Sequence, residues 1–319
     1  MVIKMACAKP LNNPRRLYNN KNSRIPCRYC INCRVDKRKQ WAERCKWEFK
    51  DKISGAFVTF TYDDAHLFSE CLKIGNDKKV RASLNYEHSS NFIKAIKSYI
   101  KRNPNKQNIL MQENFTYLGV GEYGHNGSIW NRPHYHILFF GLDFKYCEKL
   151  FKNFWQYGFI DSLPILKGGI NYVLKYMDKQ IIGKQGKWEN YKRYNLEAPK
   201  QFQSKGLGNK LYLDNYKNIQ ENKGFYKSGT KLIPVPQYYK QIMGIKTDEK
   251  ENNNKIIKNL AEWNININNP NKNIWDWKKY NYEKEILFRH QLKQEQKKAR
   301  NLYQQALNRG EPIINTYDF

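Results

Sequence analysis

Ten consecutive residues, Arg132-Pro133-His134-Tyr135-His136-Ile137-Leu138-Phe139-Phe140-Gly141, restrict this chain more than any other stretch. An apolar, aromatic-rich run bounded by Pro133 and Gly141 reads as a β-strand. Ile137 to Phe140 are apolar without alternation, which predicts a strand covered on both faces. Side chains two apart in a strand share a face. His134 and His136 therefore project side by side from its polar end. Two imidazoles so placed can share one divalent metal ion. Half-buried histidines with satisfied hydrogen bonds are the alternative.

Residues 115–122 read as a second strand, and a Gly/Asn-rich loop over 123–132 links it to the first. In such a hairpin the end of one strand lies beside the start of the next. That sets Glu122 next to His134 and His136. Two histidines and one carboxylate leave coordination positions open for water and substrate oxygens. An exposed strand-end carboxylate is the competing reading.

Residues 168–181 read as a helix. At 100° per residue, Ile170, Val173, Leu174, Met177 and Ile181 form one stripe, and Tyr172, Lys175, Tyr176 and Lys179 lie opposite. Core tyrosines would sit with the apolar set, and these do not. Each tyrosine has a lysine three positions on, so the four are neighbours on one face. A solvated Lys/Tyr face is the alternative. The chemistry that uses such groups together is transesterification of a phosphodiester. A phenol, with its usual pKa near ~10, needs activation. A metal ion polarises the phosphate, and an ammonium steadies developing charge. The tyrosine then becomes joined to the nucleic acid.

Several stretches in order resemble one family: Cys27-Arg28-Tyr29-Cys30-Ile31-Asn32-Cys33-Arg34 with Trp41-Ala42-Glu43-Arg44-Cys45, then residues 57–64, Gly121-Glu122-Tyr123-Gly124, Arg132-Pro133-His134-Tyr135-His136, and Tyr172-Val173-Leu174-Lys175-Tyr176. The chain is similar over roughly residues 25–240 to the replication initiators of microviruses, of the gokushovirus type, within the HUH endonuclease superfamily. The resemblance implies a nickase that cuts one strand at a replication origin. It stays bound to the 5′ phosphate through tyrosine, then rejoins the ends in rolling-circle replication. It also implies that His134 and His136 bind Mg²⁺ or Mn²⁺ and that Tyr172 and Tyr176 are nucleophiles. Lys175 and Lys179 would steady the charge. Glu122 as third ligand rests on the hairpin argument instead. A non-catalytic single-stranded nucleic-acid-binding protein, or a plasmid relaxase or transposase of the same superfamily, are the alternatives.

Charge agrees with a polyanionic partner. The chain of 319 residues carries 57 Lys+Arg against 29 Asp+Glu, a net charge of +28 spread along its length. Single-stranded DNA is the expected partner, with host replication proteins as further candidates. Aromatic content of 15%, with 23 tyrosines, suits base stacking as well as core packing. Arg34, Lys37 and Arg38 cluster near the start of an expected helix over 35–52, an unfavourable place for cations. They are candidates for phosphate contact, as is Arg132. No apolar run spans a membrane, and Met1 to Pro10 lacks the core of a signal peptide. Seven cysteines then predict a reducing cytoplasm, that of a bacterial host on the viral reading. Cys27, Cys30, Cys33 and Cys45 are candidate ligands for a structural Zn²⁺, with free cysteines as the alternative.

The order strand–helix–strand–strand–helix–strand–helix predicts an α+β fold, an antiparallel sheet flanked by helices of the ferredoxin-like split type. Four parts are expected: 1–54, a basic arm, cysteine-rich segment and helix; 55–182, the nuclease core; 183–245, a basic DNA-clamping extension; and 246–319, a charged, partly helical tail. Residues 66–84 read as loop. Asp63-Asp64 reads as a turn rather than a ligand pair.

Overall fold

The computed structural model describes residues 7, 11–12, 24–28, 30–52, 54–103, 111–124, 132–165, 169–178, 191–228 and 230–245, with the single positions 294, 301 and 305. The expected tail helix over 279–308 lies otherwise outside the described residues. Two compact units emerge: residues 1–44 with 209–294, and residues 45–208 with 295–319. The grouping is not linear along the chain, because the N-terminal segment shares a unit with residues far downstream.

The second unit holds the α+β core. A helix, α1 (Ile31–Lys50), leads into strand β1 (Gly55–Tyr62). Then follow α2 (Tyr86–Arg102), β2 (Met111–Tyr123), β3 (Pro133–Leu142), α3 (Phe144–Phe151), β4 (Gly158–Pro164), α4 (Gly169–Asp178) and the short β5 (Gln201–Gln203). The five strands form one antiparallel sheet in the order β4-β1-β3-β2-β5. The histidine strand β3 is third of five. Its interior is buried on both faces, as its unbroken apolar run requires.

One face of the sheet carries the main core. Ala56, Val58, Phe60 and Tyr62 of β1 and Tyr135, Ile137 and Phe139 of β3 pack there against Phe92, Ile93, Ile96 and Ile100 of α2 and Cys147, Leu150 and Phe151 of α3. Asn85 caps α2, its side chain accepting from the Glu87 N–H at 3.1 Å. Asp143 caps α3 by accepting from the N–H groups of Lys145 and Tyr146. The apolar pattern had extended α3 to Tyr157. It ends instead at Phe151, where a tight turn closed by Phe154 N–H and Trp155 N–H to Phe151 C=O drops Trp155 into the core.

Residues 66–84 are not a plain loop. Asp63 caps a short turn Asp64–His66, a wider turn follows over Leu67–Cys71, and a hairpin pairs Leu72–Ile74 with Val80–Ala82. Leu67, Cys71 and Ala82 bury there, a tertiary stabilisation that local propensity does not register. Among the described residues, no helix is long and apolar enough to cross a membrane.

The first unit contains a pairing of Leu11–Asn12 with Arg24–Ile25, the short helices Asn209–Asp214, Tyr216–Glu221 and Gln237–Ile242, and a hairpin of Phe225–Ser228 with Lys231–Pro234. Tyr212 stacks on Tyr239 at 3.8 Å. The Arg44 guanidinium lies over Trp41 and Tyr238 and donates to the Tyr239 hydroxyl.

Candidate metal centre

The second face of the sheet carries the site. Strand register sets Glu122 opposite His134 and Val120 opposite His136, so Glu122, His134 and His136 share a face. The Glu122 carboxylate Oε2 lies 3.5 Å from His136 Nε2 and 3.7 Å from His134 Nε2. One ligand atom from each falls within 4.8 Å of the others. Glu122 and His136 are buried, while His134 is half-buried and forms the side nearer solvent.

Both imidazoles are held by their other nitrogen. His134 Nδ1 lies 3.1 Å from the Arg132 carbonyl, which can only accept, so Nδ1 carries the proton. His136 Nδ1 lies 3.0 Å from the Thr59 hydroxyl. Thr59 stands directly across from His136 in the β1–β3 pairing. With Nδ1 donating, each Nε2 keeps its lone pair for a cation, the usual arrangement around a bound metal. The donor set is one carboxylate oxygen and two imidazole nitrogens. It suits a divalent ion, and buried carboxylates are ordinarily paired or coordinate metals.

Helix α4 packs on β2 and β3. Its Ile170, Val173 and Leu174 are buried, as the apolar stripe predicts, yet none belongs to the core beneath α2 and α3. The helix therefore lies over the face that bears Glu122, His134 and His136. The backbone of residues 172, 175 and 176 is part of α4. The side chains of Tyr172, Lys175 and Tyr176, and all of Lys179, lie outside the described residues.

The remaining candidates divide. The Arg132 guanidinium donates to the Tyr62 carbonyl at 2.6 Å and pairs with Asp64, so it braces the strand mouth beside the histidines. Lys37 is exposed on α1 and Arg34 is half-buried. Arg38 must be corrected. It is buried at 7% exposure, because position 38 falls on the face that α1 covers, and it is not open to a phosphate. Asp63 and Asp64 serve as a helix cap and an ion-pair partner, as a turn reading requires. Cys45 must also be corrected. It is fully buried more than three turns beyond Cys33 on α1, roughly 18 Å at the usual rise, too far to share an ion with Cys33. The sulfur that joins Cys27, Cys30 and Cys33 is Cys7. Sequence reasoning passed over Thr59 and Cys7 because each meets its partners only through strand pairing.

Residues 55–181, which span the sheet from β1 through α4, match the family model of the replication-associated protein ORF2. The replication-associated protein ORF2 of Spiroplasma virus 4 is 30% identical over 240 residues, covering 70% of this chain and 68% of the relative. The chain belongs to this family of microvirus replication-associated proteins. The replication-associated protein VP4 of Bdellovibrio phage phiMH2K is 25% identical over 231 residues, 67% of this chain and 66% of the relative. The replication-associated protein ORF4 of Chlamydia phage 1 is 22% identical over 237 residues, 69% of this chain and 53% of the relative. No solved structure matches the chain. Within the family, the matched stretch contains Glu122, His134, His136 and the whole of α4.

Proposed function

We propose that this family member nicks single-stranded DNA at a replication origin and later rejoins the ends, in rolling-circle replication. The observation that carries the reading is the convergence of Glu122, His134 and His136 on the sheet face where α4 packs. In the reaction, the phenolic oxygen of Tyr172 or Tyr176 forms a bond to phosphorus, and the phosphorus–O3′ bond breaks. The phenolic proton is lost and the 3′ oxygen leaves as a hydroxyl. One phosphodiester is exchanged for another, so neither water nor a nucleotide cofactor is consumed. Rejoining runs the same step backward. A Mg²⁺ or Mn²⁺ ion held by the three ligands would polarise the scissile phosphate and offset its developing charge. Thr59 and the Arg132 carbonyl keep both imidazoles aimed. Lys175 and Lys179 would steady phenolate and phosphate charge, and the +28 net charge draws in the strand.

Two tyrosines permit alternation, one holding the first 5′ end while the other cuts the next. The test incubates the full chain with a labelled origin oligonucleotide and Mn²⁺. Cleavage should yield an adduct that survives denaturing electrophoresis. The Tyr172→Phe/Tyr176→Phe double variant should bind the strand and form none. An adduct persisting in that variant overturns the assignment, and binding without cleavage by the unmodified chain favours a non-catalytic role.

A further inference from the structure

Four cysteines converge in the first unit, away from the site above. One sulfur from each of Cys7, Cys27, Cys30 and Cys33 lies within 4.8 Å of the others. Cys27 and Cys33 sulfurs are 4.0 Å apart, and Cys30 and Cys7 sulfurs 3.9 Å. A disulfide needs about 2.05 Å, so these are not bonded pairs. Four thiolates around one tetrahedral zinc, each about 2.3 Å from the ion, stand about 3.8 Å apart. The observed spacings match that figure. An iron–sulfur cluster inserts several iron and sulfide atoms between its thiolates and needs them farther apart.

The chain is folded to bring these sulfurs together. The antiparallel pairing of Leu11 with Ile25 and Asn12 with Arg24 returns the chain on itself, so Cys7 and Cys27 meet at one end. The Cys27 N–H donates to Cys7 sulfur at 3.2 Å, and the Cys30 N–H donates to Cys27 sulfur at 3.3 Å. Such donors favour the thiolate over the thiol. Between Cys27 and Cys30, Arg28 holds φ at 67°, a left-handed conformation that a non-glycine residue adopts at a cost. Cys7, Cys27 and Cys30 are buried, with Cys33 packed against them.

Helix electrostatics agree. The first turn of α1 has no acidic residue, although Arg34, Lys37 and Arg38 follow closely. A divalent ion with four thiolates carries two net negative charges. Placed at the start of α1, these complement the helix dipole and the nearby cations. We propose that Cys7, Cys27, Cys30 and Cys33 bind one Zn²⁺ as a structural site that fastens the N-terminal segment to the start of α1.

The test measures zinc and iron in the purified full-length chain by elemental analysis. The background carries His134→Ala and His136→Ala, so the other centre cannot contribute. About one zinc per chain is expected. Cys7→Ser and Cys33→Ser should each lower it at least tenfold, while Cys45→Ser should leave it unchanged. Where a variant fails to fold, the background chain is titrated with a mercurial and released zinc is followed with a chromogenic chelator. One zinc should appear as four thiols react. Zinc retained in full by a folded Cys7→Ser chain, iron in place of zinc, or no metal in the background chain would each overturn the proposal.

Discussion

Thr59 gives the sharpest test of the metal centre, because it touches the cation's ligand rather than the cation. Its hydroxyl lies 3.0 Å from His136 Nδ1. Thr59→Val keeps the β-branched shape that suits a strand and removes only the polar contact. A hydrogen bond of this kind is worth about 1 kcal/mol net, and tenfold in affinity is about 1.4 kcal/mol. The lost contact alone therefore weakens metal binding roughly fivefold. Freedom for the ring to turn adds to this, and losses of such partners commonly reach about 10–100-fold. We expect Mn²⁺ binding by Thr59→Val to be about 5–30-fold weaker by calorimetric titration. In a cleavage assay the half-saturating metal concentration should rise in step, with the rate at saturating metal largely kept. Thr59→Ser should restore affinity. Affinity within twofold of the unmodified chain, while His136→Ala abolishes binding, would refute the claim that Thr59 orients the ligand.

Glu122→Gln should abolish Mn²⁺ binding at micromolar concentrations while the circular dichroism spectrum stays native; retained binding would remove the carboxylate from the set. Gly121→Ala should destabilise the fold by about 1–3 kcal/mol in denaturant titration. Its new Cβ would lie 2.5 Å from the Tyr86 hydroxyl, which receives the Lys200 N–H, and 2.9 Å from Leu84. Burial holds His88 below the ordinary histidine range, against a smaller upward pull from Glu70. The unfolded chain takes up that proton near pH ~6.5 and the folded chain resists it. Stability from this group is therefore complete above about pH 6.5 and declines as pH falls below it. His88→Gln should make the melting temperature less sensitive between pH 7 and 5.5, and an unchanged difference would count against the reasoning.

The sequence showed the centre of the sheet because its strongest signals are local. Pro133, Gly141 and an uninterrupted apolar run define β3 without help from the rest of the chain. Glu122 followed from the hairpin, whose register the structure reproduces. The caps at Asn85 and Asp143 fix helix starts through short-range hydrogen bonds, although only Asp143 was read in advance. What escaped notice depends on distant pairing. β5 has three residues, two of them glutamines, and exists because Phe202 lies across Gly119. Nothing near Cys7 announces that it will meet Cys27, since their approach depends on the two-residue pairing between them. Arg38 read as surface because charge was the only local cue, and the covering face of α1 is a tertiary property.

The placement of β1 has a consequence for synthesis on the ribosome. Its two sheet neighbours, β3 and β4, are both encoded well downstream. While they are being made, the nascent chain carries an apolar strand with both hydrogen-bonding edges vacant, a template for mispairing. Thr59 sits on that strand and its histidine on the later one, so cation capture and sheet closure belong to a single late event. Half-made copies would then be unable to hold the ion firmly, a safeguard against cutting by incomplete polypeptides.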